Sequence, residues 1–336
     1  MAPTNKRLFL VDGMSQIYRA YYAIRGLSTS AGVPTNAIFG FTNILRRLIT
    51  AEKPDYLGVV FDTPQRTFRH ETYEKYKATR TAMPDDLSVQ MPYIRRVCEV
   101  LRVPMTGLAG YEADDIIGAF ACQARDRGLD VVIVTNDKDL CQLVDDHIKV
   151  LRTDRFGNTI LMDAAAVEEK MGVRPSQIPD LLGLMGDTID NIPGAPGIGE
   201  KGAKQIVQQH GSIEAALANL DKIERKTYRE SLKNNTDLVL KSRELATIVC
   251  DVPVELDLGA LEYEEADRPA AYELFAELEF AQMLREYADA APGKKAPPPG
   301  RAATRISYIR ITTEPELTRL ISGLAGMERF AMAMAA

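Results

Sequence analysis

The chain has 336 residues, 46% of them apolar and 26% charged, which supports packed cores and excludes wholesale disorder. At roughly 150 residues per domain, that length fits two domains and a fragment of a third. A net charge of −6 argues against a simple nucleic-acid binder, whose phosphate contacts need Lys and Arg, but only if the acids are spread evenly.

From the N-terminus, MAPTNKRLFLVDG lacks the apolar stretch and small-residue cleavage site of a signal peptide. No apolar run in the chain approaches the ~20 residues of a membrane span, so a cytoplasmic protein without a membrane partner is expected. Arg7–Asp12 reads as a short strand ending in an acid. Residues 35–51 have helical periodicity, with Ile38, Phe41, Ile44, Leu45 and Leu48 on one face. Residues 56–62 form a β-branched strand that again ends in Asp. The stretch 65–83 is polar, setting Arg66, Arg69, Lys75, Lys77 and Arg80 against Glu71 and Glu74. It reads as an excursion away from the sheet, followed by a helix near Asp86. Further strand-like runs lie at 103–105 and 130–135, the second leading into Asn136 and Asp137. Continuous apolar strands alternating with amphipathic helices predict an α/β fold, a mostly parallel sheet covered on both faces.

After about Arg174 the pattern is helical, broken by the Gly/Pro run at 191–202, and continues in short helices to about Ala288. Residues 290–304 are rich in Pro, Gly and Ala, a linker signature, and residues 305–336 read as strand, helix, strand. The expected organisation is thus an α/β core over 1–174 with its excursion at about 65–100, a helical region over 175–289, the linker, and the start of a further domain at 305–336.

Nine carboxylates stand out. Asp12 and Asp62 end strands, Glu112, Asp114 and Asp115 open a helix, Asp137 and Asp139 follow the fourth strand, and Asp187 and Asp190 precede the glycine run. In an open parallel sheet the carboxyl ends of strands converge on one crevice. So many like charges raise one another's pKa values unless a cation compensates. The four cysteines include no CxxC pair and there are only three histidines, so a zinc ribbon, a disulfide framework and a histidine-rich metal site are excluded. The histidines and cysteines read as structural. All-oxygen donors favour Mg²⁺ or Mn²⁺, and so many acids suit two ions ~3.5–4 Å apart, as in phosphodiester hydrolysis. The competing reading is that each Asp is only a helix cap. A receiver-like or phosphatase-like domain is the sharper rival, but it needs neither the glycine run nor the basic excursion.

Gly197, Gly199 and Gly202 match G-x-G-x-x-G, yet no apolar strand precedes them and Pro193 and Pro196 interrupt, which weakens a dinucleotide reading. A hairpin between two helices, with backbone N–H groups facing a phosphate and Lys201 and Lys204 adding charge, grips duplex backbone without reading sequence. In the excursion, Lys77 and Arg80 share a face if the segment is helical and would offset charge on a scissile phosphate. Tyr73 and Tyr76 would stack on unpaired bases. Arg19 reads equally as a phosphate contact or a surface arginine.

The stretches LFLVDGMSQIYRAYYA, VVFDTPQRTFRHETYEKYKATRTAMPDDL, GYEADDIIGAFA, TNDKDLCQLV and LLGLMGDTIDNIPGAPGIGEKGA resemble the 5′-nuclease domain of bacterial DNA polymerase I, in the flap endonuclease superfamily, over residues 6–289. The resemblance implies a PIN-like, Rossmann-like nuclease core with a helical arch and a helix–three-turn–helix DNA-binding subdomain. It makes all nine acids metal-site residues and Lys77 and Arg80 catalytic members of the arch. Residues 194–201 become the DNA-gripping turn, so that Arg19, Arg69, Tyr76, Gly194, Gly197, Gly199, Lys201 and Lys204 form the nucleic-acid set. It also implies two Mg²⁺ ions with Mn²⁺ as substitute, and leaves open a monovalent cation at the glycine hairpin. The implied substrates are 5′ flaps, nicks, gapped duplex and RNA primer–DNA hybrids, in a nucleoid-associated setting with a polymerase domain in cis. A non-catalytic, structure-specific DNA-binding module is the alternative. Asn136 stands where many relatives have a small residue, and Gly202 where Thr is common; altered rate is the most expected of either. In the tail, a strand near Phe330 would carry two metal-binding acids in a working proofreading domain. Ala333 and Ala335 stand there instead, which implies a degenerate one.

Overall fold

Short, β-branched apolar runs build the centre of the molecule, and Leu8, Leu10, Val11, Val59 and Ile133 have no exposed surface. This is a computed structural model that describes residues 5–154 and 158–291, together with Thr313 and Thr318. Strands β1 (Arg7–Asp12), β2 (Tyr56–Val60), β3 (Met105–Thr106), β4 (Asp130–Val134), β5 (Ile148–Thr153) and β6 (Thr159–Met162) form one sheet in the order β3-β2-β1-β4-β5-β6. The first five are parallel, and β6 closes the edge antiparallel to β5. The last two strands escape the sequence reading because polar Lys149 and Arg152 interrupt β5, while β6 shows three of its four residues to solvent.

The helices in chain order are α1 (Gly13–Ala23), α2 (Asn36–Arg47), α3 (Phe68–Thr72), α4 (Asp85–Ser88), α5 (Met91–Val100), α6 (Ala113–Asp126), α7 (Ala164–Met171), α8 (Ile178–Met185), α9 (Glu200–His210), α10 (Ile213–Ala218), α11 (Lys226–Asn234), α12 (Thr236–Ala246), α13 (Leu258–Leu261), α14 (Arg268–Glu277) and α15 (Ala281–Glu286). Alternation along β1 divides them between two faces. Phe9 and Val11 pack with residues of α1, α2, α5 and α14, whereas Leu8 and Leu10 pack with α6. The second of these cores continues without a break into Leu181, Ile206, Val207, Val239 and Leu245 of the helical region. Packing thus runs on across the boundary expected after residue 174, within one compact unit that extends to Pro292. The linker beyond Ala291 and the strands expected at 305–336, with Ala333 and Ala335, lie outside the described residues. No helix among the described residues is long and apolar enough to cross a membrane.

Chain direction makes the crevice. From β1 the chain moves outward to β2 and β3, then returns to place β4, β5 and β6 on the other side. The strand order reverses at β1 and β4, and a doubly wound sheet opens its binding crevice at the carboxyl ends of such a pair.

The segment at about 65–100, expected to form the helical arch, holds α3, α4 and α5, and only the expectation for its first part is corrected. Residues 65–83 hold only the five-residue α3, followed by tight turns. Lys77 has a left-handed φ of 55°, so Lys77 and Arg80 do not share a helix face. The turn is docked onto the helical region: the Lys77 N–H donates to the Asp190 carbonyl at 2.9 Å, and the Asn191 amide donates to the Lys75 carbonyl at 2.6 Å.

The hairpin after α8 also rests on close backbone approach. Gly194 has φ 65°, and a Cβ there would lie 2.3 Å from the Gly186 nitrogen. Gly197 has φ 81° but faces open space. Gly194→Ala should therefore cost about 3 kcal/mol or more in urea unfolding, since backbone cannot yield as a side chain would. Gly197→Ala should cost only the left-handed strain, about 1–2 kcal/mol. Equal losses would contradict this packing.

Candidate metal centre and nucleic-acid interface

Asp12 ends β1 and caps α1, accepting from the Ser15 N–H at 3.0 Å and the Thr135 hydroxyl at 2.7 Å. Asp62, just past β2, accepts from the Ala113 N–H at 2.9 Å and so ties that strand's exit to the start of α6. There Glu112 is the N-cap, with Asp114 and Asp115 in the first turn. Asp137, after β4, accepts from the Asp139 N–H at 2.9 Å. Asn136 braces this turn against β5, its amide donating to the Thr153 carbonyl at 2.8 Å.

Electrostatics joins these acids into one group. Burial pushes Asp12 up to about 7, against hydrogen bonds from Ser15 and Thr135, with Asp137 and Asp62 adding repulsion. Burial also holds Asp114 well above the usual carboxylate range, and Asp137, Asp12 and Asp62 add to it. Asp139 rises to about 8, through burial first and then through Asp137, Asp187 and Asp190. Its Oδ1 is buried without a hydrogen-bond partner. The acids the sequence singled out at β1, β2, β4, the start of α6 and the 187–190 turn thus feel one another's charge.

Cations reach in from the rim. The Lys77 ammonium lies 2.7 Å from Glu112 and 3.7 Å from Asp190, and Arg80 lies 2.7 Å from Asp190. Burial alone would lower Lys77, but Glu112 and Asp190 hold it above its ordinary value. Burial would raise Asp190, yet Lys77 and Arg80 bring it below the usual range. Lys138 pairs with Asp187 and lies 3.8 Å from Asp139. That lysine is absent from the sequence reading, although the Asp-Lys-Asp spacing places it between two of the acids. Among the described residues, no three His, Cys, Asp or Glu side chains are arranged to hold a metal ion as they stand. The three basic side chains now balance part of the acid charge.

A cleft of about 650 Å³ opens here, lined by Asp12, Asp137, Lys138, Tyr18 and Arg80, with Ile189 at 67% exposure on its wall. Ser15, Thr135, Tyr18 and Ile189 are further site residues that carried no separate signal, since hydroxyl and aromatic positions inside YRAYYA or VTND look like ordinary helix and strand ends.

Several expectations are corrected. Both Asp115 oxygens are engaged by Arg69, at 2.6 and 2.8 Å, so Asp115 is a buried structural partner rather than an open metal ligand. Arg69 is 3% exposed and also donates to the Leu245 and Thr247 carbonyls, which removes it from any phosphate-facing surface. Tyr76 is likewise 3% exposed, its hydroxyl 3.1 Å from both Glu112 and Asp190, and it cannot stack on a base. Tyr73 packs against the core. Arg19 lines a separate apolar cavity of about 260 Å³ with Ile24, Ile44 and Leu151. Gly194 is interior, donating to the Ser242 hydroxyl at 3.1 Å. By contrast Gly197, Gly199 and Lys201 are exposed at the N-terminus of α9, and Lys204 pairs with Glu200 at 2.7 Å. Gly202 is glycine for packing: a Cβ there would lie 2.6 Å from the Tyr228 hydroxyl.

Comparison with known proteins gives a consistent picture. Residues 7–172 match the family model of the 5′-3′ exonuclease N-terminal resolvase-like domain, and residues 173–269 match the 5′-3′ exonuclease C-terminal SAM fold. A 5′-3′ exonuclease of Aquifex aeolicus is 39% identical over 281 residues, covering 84% of this chain and 95% of that protein. DNA polymerase I of Caldicellulosiruptor bescii is 42% identical over 282 residues, 83% of this chain but 33% of the polymerase. The chain thus spans about a third of the length of the polymerase I relatives it matches. In fold it is similar to the bacteriophage T5 flap endonuclease, solved with DNA and metal ions, at a TM-score of 0.60 and 19% identity, covering 85% of this chain and 99% of the other.

Removing Arg69 would leave Asp115 charged at 0% exposure. Arg69→Ala should lower unfolding free energy by about 3–5 kcal/mol, measured by urea denaturation, while duplex affinity of the folded fraction stays unchanged. A stable variant with weakened DNA binding would return Arg69 to the nucleic-acid surface.

Proposed function

The chain belongs to the 5′-3′ exonuclease family of nucleases, and from that premise we propose that it hydrolyses phosphodiesters near the 5′ end of a strand, at flaps, nicks and gaps in DNA and at RNA primer–DNA hybrids. The observation that carries this reading is the convergence of acids from separate chain regions on the crevice between β1 and β4, where Asp12, Asp114 and Asp139 are held well above ordinary carboxylate pKa values. The donor set fits hard divalent cations: it is all oxygen, partly desolvated, and includes the buried Asp139 Oδ1, which has no hydrogen-bond partner. Asp12, Asp62, Asp114 and Asp137 would hold one Mg²⁺ or Mn²⁺. Asp139, Asp187 and Asp190 would hold the second ion or its waters, with Glu112 alongside. When bound, such ions supply an activated water and neutralise charge at the phosphate.

The chain's own residues do the rest. Ser15 and Thr135 fix the Asp12 carboxylate, and the Ala113 N–H fixes Asp62. Lys77, Arg80 and Lys138 are tethered to acids of the same group. Once those acids have other counter-charge, the basic groups are free to turn to a phosphate. The exposed turn at Gly197 and Gly199, with the α9 N-terminus and Lys201 behind it, takes the duplex backbone through N–H groups and charge. Tyr18 and Ile189 on the cleft wall offer apolar surface to an unpaired nucleotide. By analogy with the longer relatives, a polymerase domain in cis and a cytoplasmic, nucleoid-bound setting in replication and repair complete this reading.

A 5′-labelled flap duplex tests it directly. Cleavage near the junction is expected with Mg²⁺ and none with chelator. Asp137→Ala should reduce turnover at least ~10²-fold, as loss of a group acting on the reacting charge does, with flap binding retained. Gly199→Asp should instead weaken duplex binding, because a carboxylate then meets the phosphate. Binding without cleavage by the unaltered chain would favour the non-catalytic module.

A further inference from the structure

Two of the four cysteines are neighbours in space although residues 122 and 250 are far apart in the chain. Cys122 lies on α6, one turn beyond Gly118 on the same face. A side-chain carbon at Gly118 would sit 3.3 Å from the Cys250 Sγ, and the Cys122 and Cys250 thiols lie close enough to perturb each other's ionisation. Both are only partly buried, whereas Cys98 and Cys141 are buried. We propose that Cys122 and Cys250 form a dithiol modification site that a peroxide closes into a disulfide.

The surroundings assign the two roles. The interaction with Cys250, helped by Arg125, outweighs burial and the carboxylates of Asp126 and Asp145, and brings the Cys122 thiol down to about 7. The same interaction and burial push Cys250 up. Cys122 is therefore the thiolate that reacts first, and Cys250 the resolving thiol. Thiolate sulfur attacks one peroxide oxygen, the O–O bond breaks, and the departing hydroxide takes the proton given up by Cys122 to leave as water. The Cys250 sulfur then attacks the sulfenic sulfur, the S–O bond breaks, and hydroxide leaves with the Cys250 proton as a second water. Two thiols are oxidised by two electrons in total and one peroxide is reduced.

The bond would join α6 to the segment that leaves α12. That segment holds the Arg69–Asp115 pair: the Leu245 and Thr247 carbonyls accept from Arg69, and the Val249 N–H donates to Asp115 at 2.9 Å. The cross-link would clamp the wall that backs the acid-bearing end of α6. Because it also closes a long loop, it should raise the melting temperature of the oxidised chain.

The test uses the full chain, reduced, treated with hydrogen peroxide, blocked with N-ethylmaleimide and read by non-reducing peptide mass spectrometry. The expected result is loss of two of the four thiols, one cross-linked peptide joining Cys122 to Cys250, a higher melting temperature, and reversal of all three by dithiothreitol. Cys122→Ser and Cys250→Ser should each abolish the cross-link and the thermal shift. Sulfinic acid at Cys122 without a cross-link, a bridge to Cys98 or Cys141, or an unchanged thiol count would overturn the proposal. Nuclease activity does not enter the readout, so its failure is separate from that of the proposed function.

Discussion

Crowding of negative charge at one end of a parallel sheet is the constraint around which this molecule is arranged. A doubly wound sheet delivers whatever stands at its strand ends to one crevice, and here the delivered groups are carboxylates. Burial and mutual repulsion keep Asp12 at about 7 and Asp139 at about 8, against the ordinary aspartate value of 3.8. Raised folded-state values have a definite sign: each such acid favours the fold most below the usual carboxylate pKa, and that contribution is lost as pH rises through the folded value. The crevice is thus a liability near neutrality unless positive charge is supplied.

The chain supplies part of it. Lys77, Arg80 and Lys138 come from two different segments and converge on Glu112, Asp190, Asp139 and Asp187. Asp190 accordingly titrates below its ordinary value while Asp139 titrates above its own. Among the described residues Asp12, Asp62, Asp114 and Asp137 make no ion pair; Asp12 accepts from the Ser15 N–H and the Thr135 hydroxyl, Asp62 from the Ala113 N–H and Asp137 from the Asp139 N–H. That uneven division is what the divalent ions of the proposed function would complete. It also gives the basic residues of the 75–80 turn and the β4 exit two sets of partners, the acids and an incoming phosphate.

The strand-end acids are legible in the sequence because a buried parallel strand needs a continuous apolar run, and such a run makes its terminal Asp conspicuous. Asp12, Asp62 and Asp137 stand out in this way. The segment 65–83 misleads for the opposite reason. Its polarity suggests a solvated excursion, but Arg69 and Tyr76 are interior because their partners, Asp115, Glu112 and Asp190, are distant in sequence and polar themselves. A polar residue matched by a buried polar partner has no one-dimensional signature. Gly194 and Gly202 are equally opaque: the run looks like one phosphate-gripping unit, whereas only Gly197 and Gly199 are open, and the other two accommodate Gly186 and Tyr228. The exposed antiparallel β6 and the Cys122–Cys250 contact likewise depend on tertiary neighbours.

The acid crevice is most directly tested by calorimetric titration of the chelator-treated chain with manganese, beside Asp137→Ala of matched circular dichroism. Saturable binding is expected for the unaltered chain, weakened by at least tenfold, about 1.4 kcal/mol, in the variant. Absence of binding, or equal affinity in both, would contradict a crevice built to hold divalent ions.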